Sequence, residues 1–211
     1  SNFISLGYYR AIEPIIYENY MTQGFDQRVN EMSKFLLIIM MMFSLLVCLF
    51  TKELLNIFFH PSFYSASGFI IFFLLSFLLN GQRRIYITVL HANKVTSYDF
   101  IINIVGLTVF LGIFFIAVPQ LGVYGALISL VAGSLSSFLL ATIIVSRFAQ
   151  INTYMGYILC FFILNVPIYF FYETDIFQNY GIILSSKIFL ALIILLSGIK
   201  YLSLNRDLIP E

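Results

Sequence analysis

Residues 100–146 read FIINIVGLTVFLGIFFIAVPQLGVYGALISLVAGSLSSFLLATIIVS, a stretch without a single charged side chain. A membrane hydrocarbon core about 30 Å thick is crossed by about 20 helical residues. The stretch is therefore long enough for two crossings, with an interruption at Pro119 and Gly122. Because backbone groups in lipid must be hydrogen-bonded within their own segment, both crossings are predicted to be helices, over 100–118 and 122–146.

The rest of the chain is similarly apolar. Of the 211 residues, 61% are hydrophobic and 10% are charged, whereas an average soluble domain has roughly 25% charged residues. A soluble fold of this composition would expose large apolar patches, which excludes a cytosolic enzyme, a secreted domain and a nucleic-acid-binding protein. We predict an all-α fold, a polytopic membrane helix bundle with about six transmembrane helices. The other four predicted spans are 35–50, 64–90, 154–172 and 182–202.

The segment before the first span is less apolar. Residues 1–21 have a helical face of apolar and aromatic side chains, and we interpret them as the end of a preceding helix. A polar loop over 22–33 is predicted to follow. The chain starts Ser-Asn-Phe-Ile and lacks a signal-peptide layout. We expect residues 1–211 to be the C-terminal bundle of a larger transporter, whose N-terminal helix bundle would be its partner.

The distribution of basic residues predicts the orientation in the membrane. Cytoplasmic loops of membrane proteins carry an excess of Lys and Arg. Alternate loops and the C-terminal tail carry most of the basic side chains considered, namely Arg28, Lys34, Lys94, Arg147, Lys200 and Arg206. The intervening loops carry Lys52 and Lys187. The first set, and with it the C-terminus, is therefore predicted to be cytoplasmic. Lys187, near the outer end of the last span, is predicted to extend its ammonium group towards water.

The sequence contains no recognisable catalytic constellation. His60 and His91 lie at predicted membrane edges and have no partners spaced for a catalytic triad or a zinc site. Cys48 and Cys160 lie inside apolar runs and are interpreted as buried thiols. We therefore predict that the protein is not an enzyme, and that it has no catalytic residue, no metal site and no cofactor.

Arg83 and Arg84 are the most informative polar residues. If 64–90 is one membrane-crossing helix, two guanidinium groups lie deep within it, at a cost of about 2.5–3.5 kcal/mol each at the centre. Such residues usually line a pathway or bind a substrate, and the guanidinium group suits a phosphate ligand. The alternative is a span that ends near Gly81, with both side chains extended to the cytoplasmic interface. Both interpretations stay open at this point.

Small residues form a stripe at helical spacing in the span over 122–146. Such stripes allow close contact between membrane helices, so we predict that this one packs against a neighbouring helix. Its members are Ala126, Ser129, Gly133, Ser136 and Ser137. In contrast, the clear spans have no Asp or Glu in their interiors, and Glu53 and Asp99 lie at span ends. A site for a cationic drug or a proton relay normally needs a buried carboxylate.

Three motifs resemble one family of membrane transporters. They are Ala11-x-x-Pro14-x-x-Tyr17-Glu18, then Leu90-x-Ala92-Asn93-Lys94-Val95-Thr96 with Asn103 after it, and Pro119-x-x-Gly122-x-x-Gly125-Ala126. Their order and spacing resemble those of bacterial flippases for O-antigen or capsule repeat units. These proteins belong to the multidrug/oligosaccharidyl-lipid/polysaccharide exporter superfamily. The resemblance covers most of the chain and identifies it with the C-terminal half of such a protein.

The resemblance implies a function. The cargo would be an undecaprenyl-diphosphate-linked oligosaccharide, moved from the cytoplasmic to the periplasmic leaflet of the bacterial inner membrane by alternating access. Arg83 and Arg84 are our candidates for binding its diphosphate and sugars, and we infer this from their chemistry and not from a family motif. The alternatives are a cation-coupled multidrug antiporter of the same fold and, third, a membrane-embedded polysaccharide polymerase. Nucleic acid is not an expected partner.

Overall fold

The computed structural model describes residues 13, 14, 16, 17, 20, 24–58, 60, 67–152, 154–159, 187, 188, 190–193, 196 and 200. This part of the chain is almost entirely helical and contains no strand, as the all-α prediction requires. A short 3₁₀ turn over 67–69 precedes the third of its helices. The helices are α1 (Phe25–Leu49), α2 (Thr51–Phe58), α3 (Ile70–Ala92), α4 (Ser97–Leu121) and α5 (Val123–Val145).

Among the described residues, four helical segments are long and apolar enough to cross a membrane. They are Phe25–Leu49, Ser67–Ala92, Ser97–Leu121 and Val123–Val145, and each contains most of one predicted span. The predicted spans over 154–172 and 182–202 fall mostly outside the described residues. Apart from Tyr154, their described members, such as 155–159, are helical. The described part of the chain is thus all-α and contains four helices suited to a membrane.

The start of α1 corrects one prediction. The polar stretch 22–33 was expected to be a loop, yet the helix begins at Phe25 and continues without a break into the apolar run. Gly24, with φ of 91°, precedes it, and Gln27 donates a hydrogen bond to Glu31 one turn later at 3.3 Å. Hydropathy indicates where a helix can leave the lipid, and not where the helix ends. Residues 25–33 contain no glycine or proline that would break the helix, so the backbone stays helical in this polar region.

The connection between α4 and α5 consists of Gly122 alone. We expected the first of the two helices to stop at Pro119, but α4 continues to Leu121. Proline removes one backbone donor and crowds the preceding turn, a small loss when the helix ends two residues later. At Gly122, φ is 57° and ψ is −129°, a combination open essentially to glycine only. Gly122 N–H donates to Val118 O at 2.8 Å.

The small-residue stripe of α5 packs against α4, as predicted. A Cβ atom on Gly133 would lie 2.9 Å from both the carbonyl oxygen of Gly106 and Cβ of Phe110. Ser137 Oγ donates to Ile102 O at 3.4 Å. Small side chains on both helices therefore let the two backbones approach closely, which is how helices associate in lipid.

The described residues belong to two compact units: those within 1–37 and 72–153, and those within 38–71 and 154–209. In the first unit, Tyr86 of α3 and Phe138 of α5 are buried, with ring centroids 5.8 Å apart. Asn80 Nδ2 donates to Ser134 Oγ at 3.0 Å. These contacts hold α3 against the α4–α5 hairpin and form the centre of this unit.

One face of α4 is apolar and is not covered by the described residues. Phe115 and Ile116 are 72% and 68% exposed, and Phe100 and Leu107 are also exposed. Such a continuous surface is unusual for a protein in water. In a bilayer it has no such cost, because lipid tails are as apolar as these side chains.

Candidate functional site

Arg83 and Arg84 lie inside α3, and the helix passes through Gly81 and both arginines without interruption before it ends at Ala92. At 1.5 Å per residue, Arg83 is about 13 Å along the axis from that end. Both arginine side chains are half-buried. The helix itself therefore does not end near Gly81, and the two cationic residues belong to a segment long enough to cross a membrane.

The side chain of Arg83 reaches the neighbouring helix. Its Nη1 donates a hydrogen bond to Asn103 Oδ1 of α4 at 2.7 Å. Asn103 Nδ2 in turn donates to Asp99 Oδ1 at 2.7 Å and to Asp99 O at 2.8 Å. Because its oxygen accepts from the cation and its nitrogen donates to the anion, the orientation of the Asn103 amide is determined. Asn103 thus forms a hydrogen bond between two helices, a common role for a polar residue inside an apolar helix.

The polar chain continues to the end of α3. Nε2 of His91 lies 3.5 Å from Asp99 Oδ2, and both side chains are about one-third exposed. Arg83, Asn103, Asp99 and His91 thus form a connected network between α3 and α4 within the first unit. The network restrains the guanidinium group of Arg83 through a neutral amide, while the carboxylate of Asp99 lies one helical turn further along.

Arg84 points in another direction. Successive residues of an α-helix are separated by about 100° around the axis, so Arg84 does not share the face of Arg83. The Arg84 carbonyl accepts a hydrogen bond from Thr88 Oγ1 at 3.2 Å. Of the two predicted site residues, it is Arg83 that the structure connects to α4 through Asn103.

One buried polar pair was missed by the sequence analysis. Ser33 Oγ of α1 donates to Gln82 Oε1 of α3 at 2.7 Å, and Gln82 Nε2 donates to Ser33 O at 3.1 Å. Both residues are fully buried. The polar interruption at Gly81-Gln82-Arg83-Arg84 was a signal for this contact, but sequence alone does not show which helix faces Gln82.

We predict that Gln82→Leu lowers thermal stability, because the Ser33 hydroxyl would then be buried without its acceptor. An unsatisfied buried group costs about 1–3 kcal/mol. The melting temperature of the purified protein in detergent measures the effect. The double variant Ser33→Ala/Gln82→Leu removes both partners and is expected to recover part of the loss. A double variant no more stable than Gln82→Leu would contradict this explanation.

A second polar region lies at the start of α1. Gln150 N–H donates to Asp26 Oδ2 at 3.1 Å, and Asn152 N–H donates to Asn30 Oδ1 at 2.7 Å. An open pocket of about 680 Å³ is lined by these residues together with Glu31 and others. Its polar groups largely bond one another, so they join the start of α1 to the segment after α5. In the described part of the chain, no three metal-ligating side chains lie together.

Comparisons with known proteins add no relative. No protein-family profile matches the chain, and neither a curated protein nor a solved structure is significantly similar to it. The fold of the described residues defines the class: they form an all-α structure in which four apolar helices are suited to a membrane.

Proposed function

We propose that the chain is part of a membrane transporter that moves an undecaprenyl-diphosphate-linked oligosaccharide, such as an O-antigen or capsule repeat unit, between leaflets. Transport would run from the cytoplasmic to the periplasmic side by alternating access. The resemblance of the three sequence motifs to flippases supports this proposal, and so does a composition suited to lipid. The N-terminal helix bundle expected from that resemblance would complete the transport path.

One observation carries the proposal. Arg83 lies well inside an apolar helix, where a cation is costly and usually functional. The acceptor at its Nη1 is the neutral amide of Asn103. A guanidinium group can form two parallel hydrogen bonds to a phosphate, a geometry that a single amide oxygen does not provide. Arg83 is thus suited to hold the diphosphate while the lipid tail stays in the bilayer.

The proposed orientation places the turn between α3 and α4, with Lys94, in the cytoplasm. The segment 146–152, with Arg147, is then on the same side, as is the start of α1. This agrees with the hydrogen bonds that join Asn30 and Asp26 to residues 150–152. The membrane would be the bacterial inner membrane, with several crossings and a cytoplasmic C-terminus.

Deletion of the full-length gene tests the function directly. We expect surface polysaccharide to disappear and complete undecaprenyl-linked repeat units to build up on the cytoplasmic leaflet, as measured by sugar labelling and lipid extraction. Plasmid-borne wild-type protein is the control and restores the polysaccharide. Unchanged polysaccharide with new drug sensitivity would instead indicate an antiporter. Single repeat units on the outer leaflet would indicate a polymerase.

One observation supports the cation-coupled multidrug antiporter as a second candidate function. Cation-coupled transport of drugs normally uses a carboxylate inside the membrane domain. The sequence analysis found none within the spans, and Glu53, whose side chain is mostly buried, lies in the short helix α2 between two of them. The contacts of the Glu53 carboxylate therefore bear on both transport functions.

A further inference from the structure

Asn103 is a polar residue on the exposed apolar face of α4. Its neighbours on this face include Phe100 and Ile104, which are also exposed. An amide in apolar surroundings is costly unless its polar atoms are hydrogen-bonded, and both ends of this one are used. Oδ1 accepts from Arg83 Nη1, and Nδ2 donates to Asp99. A leucine would fit the exposed face at no such cost, so packing gives no reason for an amide at this position.

Asp99 determines which end of the Asn103 amide faces Arg83. The carboxylate of Asp99 and its backbone oxygen both accept hydrogen bonds from Asn103 Nδ2, at 2.7 Å and 2.8 Å. Asp99 Oδ2 also lies 3.5 Å from Nε2 of His91, near the end of α3. Because the amide nitrogen is engaged in this way, the amide oxygen is directed at the guanidinium group. Arg83 belongs to α3, but its side chain is restrained from α4.

A cation in the second unit is held differently. Lys187 Nζ lies 2.9 Å from Glu53 Oε1 and 3.1 Å from Oε2, and the two side chains are 3% and 14% exposed. The prediction that Lys187 extends towards water is therefore wrong, because the buried ammonium group contacts a carboxylate. At Arg83 Nη1 the acceptor is an amide, which orients the guanidinium group without adding negative charge. A carboxylate at the same place would compete with a phosphate for the cation.

We propose that Asn103 is a positioning residue for an anionic ligand of Arg83, and that Asp99 orients its amide. The inference rests on the proposed function, in which Arg83 binds the diphosphate of the cargo. A long side chain loses rotamer freedom when it binds a ligand, and restraint in the free protein lowers that cost. Asn103 acts through Arg83 and does not have to touch the phosphate.

Binding of inorganic pyrophosphate to the full-length protein in lipid nanodiscs tests the proposal, with Kd measured by isothermal titration calorimetry. We expect Arg83→Gln to weaken binding about 10-fold or more, because a hydrogen bond to a charged group is lost. Asn103→Leu is expected to weaken binding about 2-fold to 12-fold, the cost of ordering one side chain that now moves freely. Asn103→Asp is expected to weaken it at least as much, because it places a competing anion beside the guanidinium group.

A double variant separates positioning from a general structural role. If Asn103 acts through Arg83, Asn103→Leu has no further effect in the Arg83→Gln protein, whereas losses that simply add would overturn the proposal. Asn30→Leu is the matched control. Asn30 also uses both ends of its amide, with Gln150 O and Asn152 N–H as partners, and it lies outside the Arg83 network. Wild-type affinity is expected for Asn30→Leu, and a loss equal to that of Asn103→Leu would contradict the positioning role.

The outcomes distinguish this role from the proposed function. Binding that depends on Arg83 but is unchanged in both Asn103 variants overturns the positioning role and leaves the phosphate site intact. No binding by wild type, or binding that does not need Arg83, overturns both. If gene deletion leaves surface polysaccharide unchanged while Asn103→Leu still weakens binding, the positioning role stands and the flippase function fails. Where Arg83→Gln binds too weakly to measure, or Asn103→Leu does not fold, the comparison of Asn103→Asp with Asn30→Leu decides.

Discussion

We expect the proposed translocation to stop when Arg83 and Arg84 are both replaced by Gln, while the protein still inserts and accumulates. A hydrogen bond to a charged group contributes about 1.5–3 kcal/mol, which corresponds to roughly a 10-fold to 150-fold loss for each one removed. The measurement is the amount of surface polysaccharide in a deletion strain that carries the variant, together with its level in the membrane.

The single variants and a matched control make this result specific. Arg83→Gln is expected to account for most of the loss, because Arg83 is the arginine connected to Asn103. Lys94→Gln removes a basic side chain from the exposed turn between α3 and α4 and is expected to leave translocation unchanged. Normal polysaccharide in the double variant would show that the guanidinium groups lie at the interface and do not bind cargo.

Gly125→Leu is expected to prevent α4 and α5 from pairing. A Cβ atom at this position would contact the carbonyl oxygen of Ala117 and lie 2.5 Å from its carbonyl carbon and 2.7 Å from Val118 N. These are backbone atoms of α4, so a side chain cannot be accommodated by a rotamer change. Forced overpacking typically costs 1–3 kcal/mol, occasionally more, and low accumulation of an unstable protein is the expected result.

The same substitution at Gly112 is the matched control. A Cβ atom on Gly112 meets nothing within 4 Å, and the residue lies in the middle of α4 on an exposed face. Gly112→Leu is expected to leave accumulation and thermal stability unchanged or slightly higher, because glycine disfavours a helix by about 1 kcal/mol relative to alanine. Wild-type accumulation of Gly125→Leu would contradict the packing explanation.

The α4–α5 hairpin was predictable because its causes are local. Charge-free runs of the right length predict helices in lipid, and Gly122 marks the connection between them. The small residues of α5, Gly133 and Ser137 among them, are three or four positions apart and share a face. The start of α1 was not predictable in this way, because a polar amphipathic turn is compatible with both a loop and a helix.

The candidate site was only partly predictable. The cost of charge in lipid pointed to Arg83 and Arg84 from the sequence alone. Their different directions, and the role of Asn103, follow from how α3 and α4 face each other. Gln82 was recognised only as a polar interruption, since its partner Ser33 is 49 positions away in the chain.

The amino-acid sequence by itself determined the class of structure, since composition and run length decide between water and lipid and make helices obligatory in lipid. It also determined the hairpin at Gly122 and the contact face of α5, which depend on neighbouring residues. Only the tertiary structure decided the pairing of polar side chains, above all Glu53 with Lys187. A charge is stabilised by whichever opposite group is nearest in space, and separation along the chain does not reveal that distance.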